Sequence, residues 1–308
     1  MTLRRHAFLF PGQGSQRLGM LDALPDAGAG SRLLDAAEAL SGLDLRTIAS
    51  SGTPEQIADT RAAQPLLYVA DWMWGQALLR EGLAPLAVAG HSLGELAALA
   101  FAGVYSVEAG LELVVERSRL MARCAASTPG GMVAVLGMDG ADVSAAIQDV
   151  AGVWVANDNA PGQVVISGTH AGLEAATGAL AEAGARRLVP LPVAGPFHSP
   201  LMGDAADSFS ALLDRASFTD ARIPVYQNAD PEPATAAAAI KRRLSRQIAS
   251  PVRWTETMLA LVRDGATTAI EAGPGSVLAG LARRVERLHV LSAEEMGPAA
   301  VKEEVVRG

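Results

Sequence analysis

The residues Gly90-His91-Ser92-Leu93-Gly94 place a serine between two glycines at a spacing that can expose a nucleophilic hydroxyl on a sharp turn. An apolar run, Leu86–Ala89, precedes this segment and predicts a strand, and an Ala/Leu-rich stretch follows it and predicts a helix. The backbone N–H of Leu93 then lies at a helix N-terminus, where it can stabilise a developing oxyanion. The alternative is a glycine-rich turn that carries a serine without a chemical role.

A serine hydroxyl needs a base to remove its proton, and histidine is the usual base near neutral pH. His198 lies in Pro196-Phe-His-Ser-Pro200, and two flanking prolines exclude a regular helix or a central strand position. His91 is adjacent to Ser92 on the strained turn, so we expect its ring to point away from the hydroxyl. His198 is therefore the candidate base, with an ordinary loop histidine as the alternative.

Two further polar residues lie where they could reach a cleft. Gln13 follows the predicted strand Ala7–Phe10 in a glycine-rich loop, which lacks the Gly-Lys-Ser/Thr of a phosphate loop. Arg117 belongs to a mostly apolar predicted helix, Val107–Ala125, that Ser106 caps. An arginine on the buried side of such a helix needs an anionic partner, whereas one on the solvated side needs none.

The composition restricts the function classes. The 308 residues are 50% hydrophobic, with a net charge of −8 and a pI of about 5.2, which argues against a nucleic-acid partner. The single cysteine, Cys124, excludes an internal disulfide framework and a multi-cysteine metal site. Residues 1–5 lead directly into a strand, and the apolar run there is too short for a secretion signal. No apolar run is long enough to span a membrane, so we expect a cytoplasmic protein.

The order of predicted elements indicates the fold. Strands and helices alternate, which predicts an α/β protein with a parallel sheet, here an α/β-hydrolase-like core formed by residues 1–126 and 196–308. Residues 127–195 have the order β-α-β-β-α-β and predict an inserted ferredoxin-like subdomain.

Several local features are predicted less directly. The sequence predicts a helix that starts at Leu66, after Gln64-Pro65, and another that starts near Pro251. Residues 232–239 read as an irregular loop or helix start, and residues 294–308 as a frayed tail.

Eight motifs occur in the order found in malonyl-CoA:acyl carrier protein transacylases, and the chain resembles that family from about residue 7 to 292. The motifs are Phe10-Pro-Gly-Gln-Gly-Ser-Gln16, Gln64-Pro65, Gly90-His-Ser-Leu-Gly-Glu95, Arg117 with Leu120-Met121, Asn159-Ala-Pro-Gly-Gln-Val-Val-Ile-Ser-Gly168, Pro196-Phe-His-Ser-Pro-Leu-Met202, Gln247 before Pro251-Val-Arg-Trp254, and Glu271-Ala-Gly-Pro-Gly275. Each motif alone is of weak to moderate specificity, but a chance match of all eight in this order is very improbable.

The resemblance implies a role for each matching residue. Ser92 would take the malonyl group as an ester, and His198 would act as its base and later as an acid. Gln13 and the backbone N–H of Leu93 would form the oxyanion hole. Arg117 would bind the malonyl carboxylate with both ends of its planar guanidinium, which matches the two carboxylate oxygens.

Three more residues complete the implied site. Gln64 would line the pocket, and Gln247 is at the place where the family orients its histidine through a main-chain carbonyl. Phe197, directly before the histidine, favours a small acyl group over branched ones. The reaction would be ping-pong, from malonyl-CoA to the phosphopantetheine thiol of a holo-acyl carrier protein in fatty acid or polyketide biosynthesis.

The resemblance implies no metal and no prosthetic group, because the phosphopantetheine belongs to the partner protein. No nucleic-acid or membrane partner is expected, and we expect a monomer. A serine esterase or thioesterase is the first alternative function. A second is an acyltransferase for another acyl-CoA or carrier, as in malonate decarboxylases or trans-acting polyketide enzymes, and a third is a catalytically silent docking subunit.

Overall fold

The computed structural model describes residues 6–307; Met1–Arg5, which entered the expectation about secretion, and Gly308 lie outside the described residues. The strands are β1 His6–Phe10, β2 Ala87–Gly90, β3 Gly131–Leu136, β4 Val153–Ala160, β5 Gln163–Gly168, β6 Arg187–Pro190, β7 Val225–Gln227, β8 Asp230–Ala234, β9 Val252–Arg253, β10 Thr268–Glu271 and β11 His289–Ser292. The helices are α1 Ala27–Ser41, α2 Leu45–Ser51, α3 Pro54–Ala58, α4 Thr60–Arg80, α5 Gly94–Phe101, α6 Val107–Ser127, α7 Gly140–Ile147, α8 His170–Glu182, α9 Gly203–Arg215, α10 Ala237–Leu244, α11 Trp254–Arg263, α12 Val277–Ala282, α13 Ala293–Met296 and α14 Pro298–Arg307.

The larger sheet has the strand order β11-β10-β1-β2-β7-β8 and is parallel except for β8 at its edge. Its central strands β1 and β2 are buried at every residue, because helices cover both faces of a parallel sheet. The predicted α/β class with a parallel core sheet is confirmed. The loops that follow β1 and β2 leave the sheet at the same edge, which is where α/β folds bind ligands.

The smaller sheet has the strand order β6-β3-β5-β4-β9. Its first four strands pair antiparallel and lie within residues 127–195, with α7 and α8 as the intervening helices. The fifth strand, β9, pairs parallel with β4 and comes from the range predicted for the core, where the sequence predicted the start of a helix. The boundaries between the two predicted units stay a prediction.

Two helix starts were predicted correctly from their capping residues. The Thr53 hydroxyl accepts a hydrogen bond from the Gln56 N–H ahead of α3, and Ser106 does the same for Ala109 ahead of α6. The predicted start of α4 was wrong: this helix begins at Thr60, capped by Asp59, and contains Pro65 within its second turn. Residues 230–234, read in part as a loop, form β8, where two prolines are tolerated because the strand is at the sheet edge.

The C-terminal segment is not a frayed tail, contrary to the prediction. Helices α13 and α14 pack against α4, and the side chains of Val301 and Val305 are buried in the main core. The charged residues of α14 that suggested a solvated tail face outward, as in any amphipathic helix. No helix within residues 6–307 is long and apolar enough to cross a membrane.

Candidate active site

Ser92 lies on the turn between β2 and α5, in a backbone conformation that only a crowded turn enforces. Its φ is +51°, in the left-handed region that serine rarely adopts. A Cβ atom on Gly90 would lie 2.0 Å from the carbonyl of Gly94, and one on Gly94 would lie 2.0 Å from the oxygen of Phe10. The predicted close approach of the backbone at these two glycines is confirmed, and it presents the Ser92 hydroxyl at the carboxyl edge of the sheet.

The side chain of Asn228 holds this turn from the other side. Its Oδ1 accepts a hydrogen bond from the Ser92 N–H at 2.6 Å, and its Nδ2 donates to the Gly90 carbonyl at 2.6 Å. Asn228 follows β7, the neighbour of β2 in the sheet. The sequence analysis gave this residue no role, because its contact with the Ser92 turn, 136 positions away, leaves no mark in the local sequence.

His198 meets Ser92 although 106 positions separate them in the chain. Its Nε2 lies 2.8 Å from the Ser92 Oγ. Its Nδ1 lies 3.1 Å from the carbonyl oxygen of Gln247 and 3.2 Å from that of Ser250. Because carbonyl oxygens only accept, Nδ1 carries the proton and Nε2 presents its lone pair to the serine.

The backbone and surroundings of His198 keep it in this state. Its φ is +56°, a strained value in the left-handed region for a residue other than glycine. Burial, then the charge of Arg117, lower the pKa of His198 to about 3, against smaller raising effects of the two carbonyl hydrogen bonds. The imidazole is therefore neutral at neutral pH and ready to accept a proton.

Arg117 is fully buried in α6, with 0% of its surface exposed, whereas Arg119 and Arg123 on the same helix are exposed. Its Nη1 donates to Gln64 Oε1 at 2.8 Å, and its Nη2 donates to Gln247 Oε1 at 2.9 Å and to Ser92 Oγ at 3.2 Å. Of the two alternatives left open for this arginine, the structure shows the buried one.

The guanidinium of Arg117 has no carboxylate within hydrogen-bonding distance among residues 6–307, and its Nε has no partner there. Burial lowers its pKa to about 10, and the charge of Glu95 is the largest opposing effect. The side chain remains a cation at neutral pH. A buried cation with neutral partners beside the serine is a site for an anionic ligand.

Gln247 makes a hydrogen bond to each of His198, Arg117 and Ser92. Its main-chain carbonyl faces His198, its Oε1 accepts from Arg117, and its Nε2 donates to the carbonyl oxygen of Ser92 at 2.8 Å. The resemblance implied only the first of these contacts. The Ser250 carbonyl that shares Nδ1 of His198 was not anticipated, because main-chain acceptors leave no mark in a sequence.

The two residues proposed for the oxyanion hole lie on neighbouring loops. The side-chain amide of Gln13 donates to the Ala58 carbonyl at 3.2 Å and lies 3.4 Å from Thr60 Oγ1, so it is already engaged by other groups than Ser92. In the described part of the chain, the backbone N–H groups of Gln13 and Leu93 have no hydrogen-bond partner. The groups available for an oxyanion here are therefore two backbone N–H groups.

A cavity of about 220 Å³ opens over Ser92 and His198, between the two sheets. The parallel-sheet side contributes Gln13, Gln64 and Phe197, and the smaller sheet contributes Met132 and Asn157. Its lining is largely apolar, and Ser92, His198 and Gln64 are among the few polar groups that reach it. The volume suits a small acyl group.

His91 points away from the serine, as predicted. Its Nε2 lies 2.8 Å from Oδ1 of Asn159, a residue of β4 in the smaller sheet. Burial lowers the pKa of His91, so this ring too is neutral and serves as a hydrogen-bonding link between the sheets.

The assembled groups can carry out acyl transfer through a covalent intermediate. In this geometry Ser92 can act as the nucleophile and His198 as its base, and the two backbone N–H groups can stabilise a tetrahedral oxyanion. Arg117 adds a fixed positive charge within 3.2 Å of the nucleophile, which favours acyl groups that end in a carboxylate.

Comparison with known proteins agrees with this chemistry. Residues 7–302 match the sequence model of a family described as the acyl transferase domain. A malonyl CoA-acyl carrier protein transacylase from Synechocystis sp. is 44% identical over 280 residues, which cover 90% of this chain and 92% of that protein. The protein of the same name from Bacillus subtilis is 40% identical over 286 residues, covering 91% and 90%.

A solved structure extends the likeness to three dimensions. It is the complex PlMCAT:AntF, a type II polyketide synthase acyl-carrier protein with its malonyl-transacylase. This chain matches it with a TM-score of 0.91 and 36% identity, covering 97% of this chain and 99% of that chain.

Proposed function

Because the chain belongs to the acyl transferase domain family, we propose that it transfers a malonyl group from malonyl-CoA to the phosphopantetheine thiol of an acyl carrier protein, through an ester on Ser92. The product is an extension unit for fatty acid or polyketide biosynthesis. The observation that carries the malonyl assignment is Arg117, a buried guanidinium beside the nucleophile with no carboxylate partner of its own among the described residues.

In the first half-reaction, the Ser92 hydroxyl gives its proton to Nε2 of His198 while Oγ attacks the thioester carbonyl of malonyl-CoA. The carbonyl oxygen becomes an oxyanion that accepts hydrogen bonds from the backbone N–H groups of Leu93 and Gln13. The intermediate collapses, the C–S bond breaks, and the CoA sulfur takes the proton from His198. The malonyl carboxylate stays paired with Arg117.

In the second half-reaction, the carrier thiol gives its proton to His198 and attacks the ester carbonyl. The oxyanion forms in the same place, and the Ser92 oxygen leaves with the proton that His198 returns. Transfer competes with hydrolysis at this stage. The small, largely apolar cavity supports a preference for the thiol, because it leaves little room for water beside the ester.

Gln13 contributes through its backbone in this proposal. Its side-chain amide is already bonded to the carbonyl of Ala58, the last residue of α3. A Gln13→Ala variant therefore keeps the oxyanion donor, and we expect a smaller loss of acylation than removal of Ser92 or His198 causes.

The decisive experiment compares Arg117→Ala with Arg119→Ala, an exposed arginine two positions along the same helix. Mass spectrometry of the protein incubated with malonyl-CoA or acetyl-CoA measures ester formation at Ser92. We expect Arg117→Ala to lose its malonyl preference, by roughly 2–5 kcal/mol in relative acylation, because the carboxylate loses a buried charge partner. Arg119→Ala should keep it.

Three outcomes would contradict the proposal. The preference could survive in Arg117→Ala, the acyl group could attach to a residue other than Ser92, or free malonate could exceed malonyl-carrier product when holo-carrier is present. The last result would indicate a hydrolase.

We further propose that the reaction needs no metal and takes place in the cytoplasm. The site residues provide nucleophile, base and charge stabilisation without a metal. Transfer measured after treatment with a chelator should equal that of untreated protein, and cell fractionation tests the location.

A further inference from the structure

Glu95 is a charged residue of the active-site turn to which the mechanism above assigns no role. It lies in the first turn of α5, three positions after Ser92, and its side chain is fully buried. A buried carboxylate needs hydrogen-bond donors. Glu95 has two: Gln227 Nε2 donates to its Oε1 at 3.0 Å, and the Asn228 backbone N–H donates to its Oε2 at 2.8 Å.

The same donors separate Glu95 from Arg117. One carboxylate oxygen is bound to the last residue of β7 and the other to the residue after it, and Arg117 is bound to Gln64, Gln247 and Ser92 instead. Both charges nevertheless lie at the Ser92 turn, because Asn228 binds Glu95 through its N–H and the Ser92 N–H through its side chain, and Arg117 donates to Ser92 Oγ. Burial raises the pKa of Glu95, and its hydrogen bonds and then the charge of Arg117 oppose that rise; burial lowers the pKa of Arg117, and the charge of Glu95 is the largest effect that opposes this.

This arrangement meets two opposed requirements of the site, a nearby negative charge for the buried arginine and a guanidinium that a substrate can still bind. A buried arginine without any negative charge nearby is costly, but a carboxylate bonded directly to it would occupy the edge that a substrate carboxylate needs. A counter-charge that does not bind the guanidinium lowers the cost of burial and leaves Arg117 with neutral partners, which a substrate carboxylate can displace.

Building on the proposed function, we propose that Glu95 is a positioning residue: Gln227 and Asn228 hold it as a non-contacting counter-charge, which keeps Arg117 buried without a carboxylate of the protein bound to its guanidinium. Its negative charge also opposes the incoming carboxylate. Glu95 therefore sets how strongly the free site attracts a malonyl group, and stability of the unliganded site is gained at the expense of malonyl affinity.

The test measures binding without chemistry. In a Ser92→Ala background, calorimetry gives the dissociation constants of malonyl-CoA and acetyl-CoA, which differ in the terminal carboxylate. Their ratio isolates the interaction with that carboxylate. Glu95→Gln removes the charge and keeps the size, and the guanidinium stays protonated. The ratio should move in favour of malonyl-CoA by about three- to tenfold, as expected for loss of one nearby like charge.

Two further variants make the result specific. Gln227→Met removes the side-chain donor to Glu95 Oε1 and does not touch the Ser92 turn, so it disfavours the ionised form of Glu95, and the ratio should again move in favour of malonyl-CoA. Glu116→Gln removes an exposed carboxylate from α6 and should leave the ratio unchanged. If Glu95→Gln does not fold, Gln227→Met carries the test.

An unchanged ratio in Glu95→Gln, or in Gln227→Met where Glu95→Gln does not fold, overturns the inference. An equal loss of affinity for both ligands in Glu95→Gln does so as well, because it shows a purely structural role. A Ser92→Ala protein that binds the two ligands equally refutes the proposed malonyl recognition itself, and this inference falls with it.

Discussion

At the scale of single residues, His198 and Arg117 determine each other's chemistry. The buried cation is the second-largest cause, after burial, of the low pKa of His198. In the proposed mechanism, a malonyl carboxylate bound to Arg117 would offset that charge. The pKa of His198 would then be higher with substrate bound than in the free protein, which makes the imidazole a stronger base at the step that needs it.

The low pKa of His198 predicts an unusual pH profile. Protonated His198 cannot accept the serine proton, and burial together with Arg117 places that protonation near pH 3 in the free protein. We expect the rate of Ser92 acylation at low malonyl-CoA concentration to stay level from pH 8 to about pH 5.5, below the usual histidine pKa of about 6.5. Rapid-quench mass spectrometry measures this rate.

Circular dichroism in the same buffers is the control for that profile. The pKa of His198 is lower in the folded protein than in the unfolded chain. The contribution of this neutral histidine to the free energy of unfolding is therefore complete above about pH 6.5 and is lost as the pH falls toward 3. A loss of acylation centred near pH 6.5 in folded protein would contradict the assignment of His198 as a buried neutral base.

At the scale of elements, helix α4 carries a carboxyl group in its buried face. Asp71 is fully buried, and neither of its oxygens has a hydrogen-bond partner among the described residues. Burial, then the charge of Glu271 on β10, raise the pKa of Asp71 well above its usual value. Burial also raises the pKa of Glu271 to about 7, although the N–H groups of Leu278 and Ala279 oppose this.

The free energy of unfolding that Asp71→Asn gains over the wild-type protein should be larger at alkaline pH than at acid pH. Folded Asp71 holds a proton that the unfolded chain releases above about pH 4, so the wild-type protein loses about 1.4 kcal/mol of this contribution per pH unit. The asparagine variant does not. Urea unfolding at pH 5 and pH 8 gives the difference, and the variant's advantage should grow between them.

The control for that experiment is Asp207→Asn, which changes an exposed aspartate on α9. Its unfolding free energy should follow the wild-type pH dependence. If Asp71→Asn also follows it, then Asp71 is ionised in the folded protein.

At the scale of the whole molecule, the site is complete only where the two sheets meet. His91 binds Asn159 across the cleft, and the Thr255 hydroxyl is 2.6 Å from Asp158 Oδ1. Strand β9, which comes from the range predicted for the core, pairs with β4 and so adds an edge strand to the smaller sheet. The cavity over Ser92 takes its walls from both sheets. The relative position of the two sheets therefore controls the space for the acyl group.

The C-terminal helix α14 stabilises the core on which this arrangement rests. Val301 is fully buried against α4, whereas Val306 on the same helix is 70% exposed. Val301→Ala should lower the free energy of unfolding by about 2 kcal/mol, because two buried methyl groups and their packing are lost. Thermal or urea unfolding measures this loss.

Val306→Ala is the matched control and should change the unfolding free energy by less than about 0.5 kcal/mol. Equal effects of the two substitutions would indicate that α14 does not pack on the core in solution.

Features that depend on a few neighbouring residues could be predicted from the sequence. The turn at Ser92 needs glycine at position 90 because the backbone of Gly94 returns to within contact of it, and glycine at position 94 because the backbone of Phe10 lies against it. The caps Thr53 and Ser106 satisfy N–H groups within three positions. The alternation of strands and helices predicted the fold class, and the ordered motifs led to Ser92, His198 and Arg117 through a resemblance rather than through local physics.

Only the tertiary structure decided which distant groups meet. Sequence alone left Arg117 open between a buried and a solvated face, because the choice depends on elements more than 100 residues away. Asn228, Glu95 and the Ser250 carbonyl acquired roles through contacts that no local pattern encodes. The C-terminal residues were misread for the same reason: their charge suggested a tail, and only the apolar surface of α4 makes them a helix with a buried face.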